Sequence, residues 1–207
     1  LTISDGTVID NPRFYRKSQK KLRKAQRRFS RRVKGSRNRN KQRIKVAKIH
    51  RKIRRQREDF AHKLSSQLVR KYGCIVFENL NIGNMVRNHK LSKSIHDASW
   101  YQIIQYTQYK AENAGVRVAL VDPRNTSQKC SKCGTIVKKP LKERIHKCTH
   151  CGLVLDRDLN ASINILNKNT LGHREIHACG DETSFQDVLS FEKVLSLNQE
   201  STRSSSD

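Results

Sequence analysis

The chain has 207 residues, enough to bury a core as one large domain or two small ones. Its 44 Lys and Arg outnumber 18 Asp and Glu, for a formal net charge of +26. This excess favours a nucleic-acid partner, because neutralised phosphates release their counterions. A membrane protein is disfavoured, since the sequence contains no apolar run of about 18 residues and no Trp- or Phe-rich amphipathic anchor.

The most basic segment runs from Arg13 to Arg57 and holds 23 Lys or Arg and no acidic residue. A charge run can be a solvated face or a disordered tail. Here apolar residues recur at helical spacing, which favours a folded hairpin of two helices, broken near Gly35 and Ser36, with one basic face. The apolar positions are Leu22, Ala25, Phe29 and Val33, then Ile49, Ile53, Phe60, Leu64 and Leu68. The nucleic-acid-binding candidates are Arg23, Lys24, Arg27, Arg28, Arg31, Arg32, Arg51, Arg54 and Arg55.

The next elements alternate between strand and helix. The short run over residues 74–77, with Glu78 at its end, predicts a buried strand, because the run is apolar and contains β-branched and aromatic residues. The order predicted after it is a loop over 79–85, a helix over about 98–114 capped by Gly115, and a strand over 116–121. Such a strand, helix, strand order builds a parallel pair. A short strand over 153–155 and a helix capped by Asp158 follow; residues after 171 are mixed, and 201–207 predict a disordered end.

Two C-x-x-C knuckles, each followed by Gly, give the strongest local signal. Cys130 and Cys133 form the first, and Cys148 and Cys151 form the second, with fourteen residues between Cys133 and Cys148. This spacing lets four thiolates converge on one zinc ion in a closed, structural site. The alternatives are a redox pair, two disulfides, or a site in which His146 or His150 replaces a Cys. The remaining Cys74 and Cys179 are interpreted as buried free thiols.

Carboxylates at the ends of predicted strands form a second, weaker pattern. Glu78 ends one strand, and Asp156 and Asp158 lie where the last strand meets a helix. Carboxylates at one sheet edge can hold Mg²⁺ and support two-metal cleavage of a phosphodiester. The pattern by itself favours plainer roles, since a strand-end Glu is usually solvated and an Asp before a helix is usually a cap.

Four motifs in a fixed order resemble the OrfB/TnpB family of insertion-sequence transposons. They are the basic helical region, the segment 76–82 (Val-Phe-Glu-Asn-Leu-Asn-Ile), the segment 122–130 leading into Cys130, and the segment 151–161. The resemblance covers roughly residues 3 to 198. The family, long labelled transposases, comprises RNA-guided DNA endonucleases related to type V CRISPR effectors. It implies DNA as a partner, guide RNA as a further partner, and a cytoplasmic, nucleoid-associated location in a bacterium or archaeon, in keeping with the lack of a visible signal peptide.

The resemblance implies an α/β fold: a partial RNase-H-like (RuvC-type) sheet with a basic helical hairpin and an inserted zinc ribbon with four cysteine ligands. The expected parts are a remnant strand pair (1–12), the hairpin (13–72), a RuvC-like domain (73–128), the ribbon (129–152), the RuvC-like carboxyl-terminal part (153–198) and a disordered tail (199–207). Glu78 matches the family's second catalytic carboxylate. Asp158 matches the third, with Asp156 as a less favoured alternative.

The family's first catalytic aspartate, on a Gly-Ile-Asp-x-Gly strand, has no counterpart, because residues 3–9 match the strand pair that follows it. Neither Asp5 nor Asp10 is expected to replace it. We therefore expect an amino-terminally truncated protein that retains zinc and nucleic-acid binding and is a poor nuclease alone, with Mg²⁺ as cofactor of any residual activity. The alternatives are a regulatory DNA- or RNA-binding module and a non-functional fragment. The oligomeric state stays open.

Overall fold

The computed structural model describes residues 1–140, 142–173 and 194–198. It divides into two compact units. The sheet unit comprises Leu1–Asp10, Ser65–Asn81 and the described residues from Ile104 onward; the helical unit comprises Asn11–Leu64 and Ile82–Ile103. Residues 82–103, which the predicted boundaries place with the RuvC-like part, thus cluster with the basic helices. Within the described ranges, no helix has the length and apolar character needed to cross a membrane.

The basic segment forms two helices, α1 (Phe14–Ser30) and α2 (Arg37–Lys71), so the predicted break is confirmed. The hydroxyl of Ser36 accepts a hydrogen bond from the Arg39 amide at 3.1 Å and so starts α2. The Arg39 guanidinium lies 4.3 Å from the centroid of the Phe29 ring and joins the two helices. The prediction for Val33 is wrong: it follows the end of α1 and is 77% exposed.

A short helix replaces part of the predicted loop over 79–85, and a second short helix follows it where the sequence predicted no element. They are α3 (Ile82–Arg87) and α4 (His89–Ala98). Gly83 and Asn84 are poor helix formers, so the local signal was weak, and α3 is stabilised by tertiary packing of its apolar residues. Ile82, Met85, Val86 and Leu91 pack against the buried cluster of Ile95, Ala98 and Trp100.

The helix predicted over 98–114 is confirmed with a later start. It is α5 (Trp100–Ala114), and Gly115 follows it as predicted. Ser99 has a left-handed φ of 56°, which separates α4 from α5. Ala98 therefore ends the preceding helix instead of starting this one.

A mixed sheet forms the centre of the sheet unit. Its strand order is β1 (Thr2–Ile3), β6 (Val194–Asn198), β2 (Cys74–Glu78) and β3 (Arg117–Val121). The predicted parallel pair is confirmed, with Cys74 opposite Arg117 and Glu78 opposite Val121. Strand β6, which the sequence did not predict, runs parallel to β2 and antiparallel to β1. Every residue of β2 is buried because the strand is central.

The ribbon and the last helix complete the sheet unit. Strands β4 (Ile145–Lys147) and β5 (Val154–Asp156) pair antiparallel, and α6 (Arg157–His173) follows directly. Ile165 of α6 packs in one core cluster with Cys74 and Val76. Cys74 is fully buried and free, as predicted. The predictions for Cys179, for 174–193 and for the end from 199 lie outside the described residues.

Candidate metal centre, carboxylate site and nucleic-acid face

The structure brings the four predicted ligands Cys130, Cys133, Cys148 and Cys151 together, with all their sulfurs within 4.8 Å of one another. Cys130 Sγ lies 3.6 Å from Cys151 Sγ, and Cys133 Sγ lies 3.5 Å from Cys148 Sγ. Four sulfurs at about 2.3 Å from a tetrahedral zinc would be about 3.8 Å apart. The donor set and its spacing therefore fit a zinc ion bound by four thiolates.

The two knuckles share one backbone geometry. In the first, the Cys130 amide donates to Thr135 O, and the Gly134 amide donates to Cys130 O. In the second, the Cys148 amide donates to Leu153 O, and the Gly152 amide donates to Cys148 O. Both glycines have left-handed φ angles, 78° and 72°. A side chain at either position would strain the turn that aims two sulfurs at one point.

The geometry argues against the other interpretations of the cysteines. The 3.5 and 3.6 Å separations far exceed the about 2.05 Å of a disulfide. Within the described ranges, the converging group contains four sulfurs and neither His146 nor His150. A hydrogen bond to the Thr135 hydroxyl is the largest influence that lowers the pKa of Cys133, to about 5. The lowered pKa favours the thiolate of Cys133, which is the form that binds metal.

Glu78 lies at the carboxyl end of the central strand and is 4% exposed. The prediction that it ends a buried strand is confirmed, and its side chain is buried instead of solvated. Its Oε1 accepts a hydrogen bond of 2.7 Å from the hydroxyl of Thr126, which is also buried. The carboxylate therefore has a defined orientation.

The two aspartates near the start of α6 have different surroundings. Asp156 caps the helix by accepting from the amides of Asp158 at 2.8 Å and Leu159 at 3.2 Å. The prediction of Asp158 as the cap is thus wrong, because α6 begins at Arg157. Asp158 lies in the first helical turn with Arg157 Nε and Arg144 Nη1 at 3.5 and 3.7 Å from its carboxylate.

One oxygen of the Asp158 carboxylate forms no hydrogen bond in the described part of the chain: it is Oδ1, which is buried. Arg157 Nε lies 3.5 Å from it as an ion pair, so this oxygen has a cationic neighbour but keeps an open acceptor position. Neither Glu78 nor Asp158 belongs to a converging group of three or more metal ligands among the described residues. The two predicted catalytic carboxylates thus do not form a complete metal site by themselves.

Asp5 has a structural role in the turn after β1. Its carboxylate accepts hydrogen bonds from Lys71 Nζ at 2.9 Å, Tyr72 Oη at 2.7 Å and the Thr7 amide at 2.9 Å. Burial acts to raise the pKa of Asp5, but these hydrogen bonds outweigh it and hold the pKa well below its usual range. Asp5 is thus an ionised carboxylate with three donors bound to it.

All nine predicted nucleic-acid-binding side chains are exposed. Two of them, Arg51 and Arg54, line an open cleft of about 1280 Å³ within the helical unit, together with Lys93. Tyr101, 58% exposed, lies on the same cleft, and Ile53 and Ile95 are among its apolar lining. None of the described residues that line the cleft is acidic. The arrangement combines cations with apolar and aromatic surface.

Sequence reasoning missed Asp97, a buried carboxylate in the helical unit. It is 1% exposed and accepts hydrogen bonds from the amides of Tyr15 at 2.8 Å and Arg16 at 3.1 Å. It also forms an ion pair of 2.8 Å with Arg57. Asp97 therefore caps α1, whose own Arg13 provides no side-chain cap, and ties α4 to both long helices. Its sequence position, between the predicted loop and the predicted helix, contained no signal for this role.

Comparison with known proteins places this geometry in a family. The model described as "Probable transposase" (OrfB of IS605) matches residues 1–89, and "Cas12f1-like, TNB domain" matches residues 100–165. A "Putative RNA-guided DNA endonuclease" of Streptomyces pristinaespiralis is 40% identical over 205 residues, which cover 98% of this chain and 50% of that protein. The protein InsQ of Escherichia coli K12, with the same description, is 34% identical over 196 residues, 87% of this chain and 48% of that protein.

The fold has a solved counterpart. The "Cryo-EM structure of the Cas12f1-sgRNA-target DNA complex" matches with a TM-score of 0.55 and 20% identity, over 78% of this chain and 43% of that one. This likeness concerns the α/β fold alone. The chain spans about half the length of the curated relatives it matches. With the transposase and TNB models covering separate parts of it, the chain belongs to the OrfB/TnpB family.

Proposed function

We propose that this chain binds nucleic acid as part of an RNA-guided nuclease system, contains a structural zinc ribbon, and cleaves DNA poorly by itself. Its partners would be DNA and a guide RNA, in keeping with the names of its relatives. A protein with these partners would act in the cytoplasm and at the nucleoid of a bacterial or archaeal host. Its central sheet would be the partial RNase-H-like, RuvC-type sheet implied by the resemblance.

The cleft in the helical unit is the observation that supports nucleic-acid binding most directly. Exposed cations such as Arg51 and Lys93 share it with Tyr101, and none of its described lining residues is acidic. Phosphates would pair with the cations, while nucleobases would pack on the aromatic and apolar surface. An apolar peptide would not require so many cations.

The zinc ion would be held by Cys130, Cys133, Cys148 and Cys151. With four protein ligands the site is closed, so zinc would stabilise the fold and activate no water. Mg²⁺ would be held by Glu78 and Asp158, where it would supply charge stabilisation for phosphodiester cleavage. Two-metal cleavage needs carboxylates that bridge the ions, and among the described residues neither Glu78 nor Asp158 belongs to a converging group of three or more metal ligands. This shortage supports impaired catalysis.

Neutralising the cleft should weaken binding to nucleic acid and reduce its salt dependence. For Arg51→Ala/Arg54→Ala, we expect the slope of log Kobs against log salt to fall by about two, since each Arg that contacts a phosphate contributes about one. Fluorescence anisotropy with labelled single-stranded DNA, single-stranded RNA and an RNA–DNA duplex, between about 50 and 200 mM salt, measures both slope and affinity.

The matched control is Lys52→Ala/Lys63→Ala, which removes the same charge from the same helix. At about 100° per residue, Lys52 and Lys63 lie on the side of α2 opposite Arg54, and neither lines the cleft. An equal loss of affinity in the two double variants would show that binding depends on the total positive charge and not on its position in the cleft. That result would contradict a defined nucleic-acid face.

Catalysis is tested with the zinc-loaded chain, Mg²⁺ and supercoiled plasmid. We expect nicking no faster than that of Glu78→Gln/Asp158→Asn, because no further carboxylate among the described residues completes a metal site with either of them. The double variant serves as the control for contaminating nuclease. Cleavage by the natural chain that Glu78→Gln abolishes would overturn the proposed impairment. Site-specific binding without cleavage would instead favour a regulatory module.

A further inference from the structure

A short segment of the sheet unit, Thr126 to Ser131, connects the first zinc knuckle to Glu78; we name it the strap. Its last residues flank the ligand Cys130. Asn160 Nδ2 donates to Lys129 O at 2.8 Å, and Asn160 Oδ1 accepts from the Ser131 amide at 3.0 Å. The Asn160 side chain, which is fully buried, therefore forms hydrogen bonds with the backbone on both sides of the metal ligand Cys130.

The start of the strap is held from the same helix. Asn164 lies one turn after Asn160 on α6, and residues four apart share one helix face. Its Nδ2 lies 2.9 Å from Thr126 O and 2.6 Å from Lys129 O, and the residue is 5% exposed. Together the two amides attach the whole strap to α6.

Thr126 links the strap to Glu78, the predicted catalytic carboxylate, by a hydrogen bond from its hydroxyl. Its hydroxyl proton can serve one acceptor at a time, and Glu78 Oε1 at 2.7 Å is closer than Pro123 O at 3.1 Å. Both side chains are 4% exposed, so water competes little for this hydrogen bond. The orientation of Glu78 thus depends on where the strap holds Thr126.

Resting on the proposed roles of zinc and Glu78, we propose that Thr126 is a positioning residue for Glu78 and that zinc binding at Cys130 fixes its position through the strap. A metal-binding carboxylate must be held to within about 0.5 Å. Zinc would immobilise Cys130, Asn160 and Asn164 would transmit that restraint along the backbone of the strap, and the Thr126 hydroxyl would select one orientation of Glu78. The ribbon would therefore support the catalytic site as well as its own fold.

The test observes the Glu78 carboxyl group directly, by ¹³C NMR of the full zinc-loaded chain with labelled glutamate. Glu78→Gln assigns the signal. We expect Thr126→Val to shift it and Thr126→Ser to leave it near its natural position, because Ser keeps the hydroxyl donor. Asn164→Ala should shift the signal while one equivalent of zinc stays bound; exposed Asn167, on the same helix, provides the matched control Asn167→Ala.

The outcomes separate the inference from the proposed function. Equal Glu78 signals in Thr126→Val and Thr126→Ser, or an unchanged signal in Asn164→Ala, would overturn the inference. Circular dichroism identifies any variant that has unfolded. If Asn164→Ala unfolds, Asn164→Ser replaces it, because it removes the same amide with a smaller change in packing. Mn²⁺ added to the natural chain should broaden the Glu78 signal. Absent broadening would contradict the metal-binding role of Glu78, but not its coupling to Thr126.

Discussion

Replacing Cys130 by Ser is expected to remove stoichiometric zinc and to unfold the ribbon over 129–152. The remaining three sulfurs cannot complete a tetrahedral site, and structural zinc contributes roughly 10–16 kcal/mol of apparent binding free energy in small zinc domains. Besides hydrogen bonds from α6 to Lys129 and Ser131, the ribbon has one strand of three residues, β4, which pairs with the equally short β5. Zinc content measured with a chromogenic chelator, with hydrogen exchange of the β4–β5 amides, tests both effects.

Lys132→Ser is the matched control, because Lys132 lies between the two cysteines of the same knuckle and is exposed. It should keep one equivalent of zinc and the slow exchange of β4 and β5. Treating the natural chain with a strong chelator should reproduce the Cys130→Ser result. A natural chain that holds no zinc after purification in its presence, yet keeps a protected ribbon, would contradict a structural metal site.

Replacing Asp97 by Ala should destabilise the helical unit by about 3–5 kcal/mol, a cost typical of breaking a buried ion pair. The substitution leaves the Arg57 guanidinium, 19% exposed, without its carboxylate and removes the acceptor for two amides at the start of α1. Trp100, the single tryptophan, is buried in the cluster that contains Ala98. Its fluorescence during urea unfolding therefore reports on this unit.

Asp59→Ala provides the comparison, since Asp59 is 62% exposed and pairs with Lys63 one turn along α2. An exposed pair of this kind contributes about 0.3–0.5 kcal/mol, so this variant should unfold almost as the natural chain does. Asp97→Asn keeps the size of the side chain and part of its acceptor capacity, and it should fall between the two. Similar unfolding midpoints for Asp97→Ala and Asp59→Ala would show that Asp97 is not a structural link.

These contacts clarify how a basic protein of this composition can fold. The segment from Arg13 to Arg57 has no acidic residue of its own, so its helices repel one another at neutral pH. Asp97 supplies a carboxylate from a distant part of the chain and is bound by Arg57 and by the amides of Tyr15 and Arg16. Exposed cations on these helices, such as Arg51 on the cleft, can bind phosphates.

Several features followed from the sequence because they depend on neighbouring residues alone. Two C-x-x-C-G knuckles predicted the four converging sulfurs, since the spacing and the glycines determine each turn locally. The helical stripe with its break at Ser36, the buried strand ending at Glu78 and its parallel partner were likewise legible from spacing and composition. The family was recognisable because its motifs occur in order along the chain.

Other features depended on residues that meet only in the folded chain. The short helices α3 and α4 are stabilised by packing around Ile95 and Trp100, and strand β6 by pairing with β2, so local propensity did not reveal them. Asp156 replaced Asp158 as the cap because strand β5 runs directly into α6. Thr126 reaches Glu78 across 48 positions and Asp97 reaches Tyr15 across 82; hydrogen bonds between such distant residues leave no periodic trace in a single sequence.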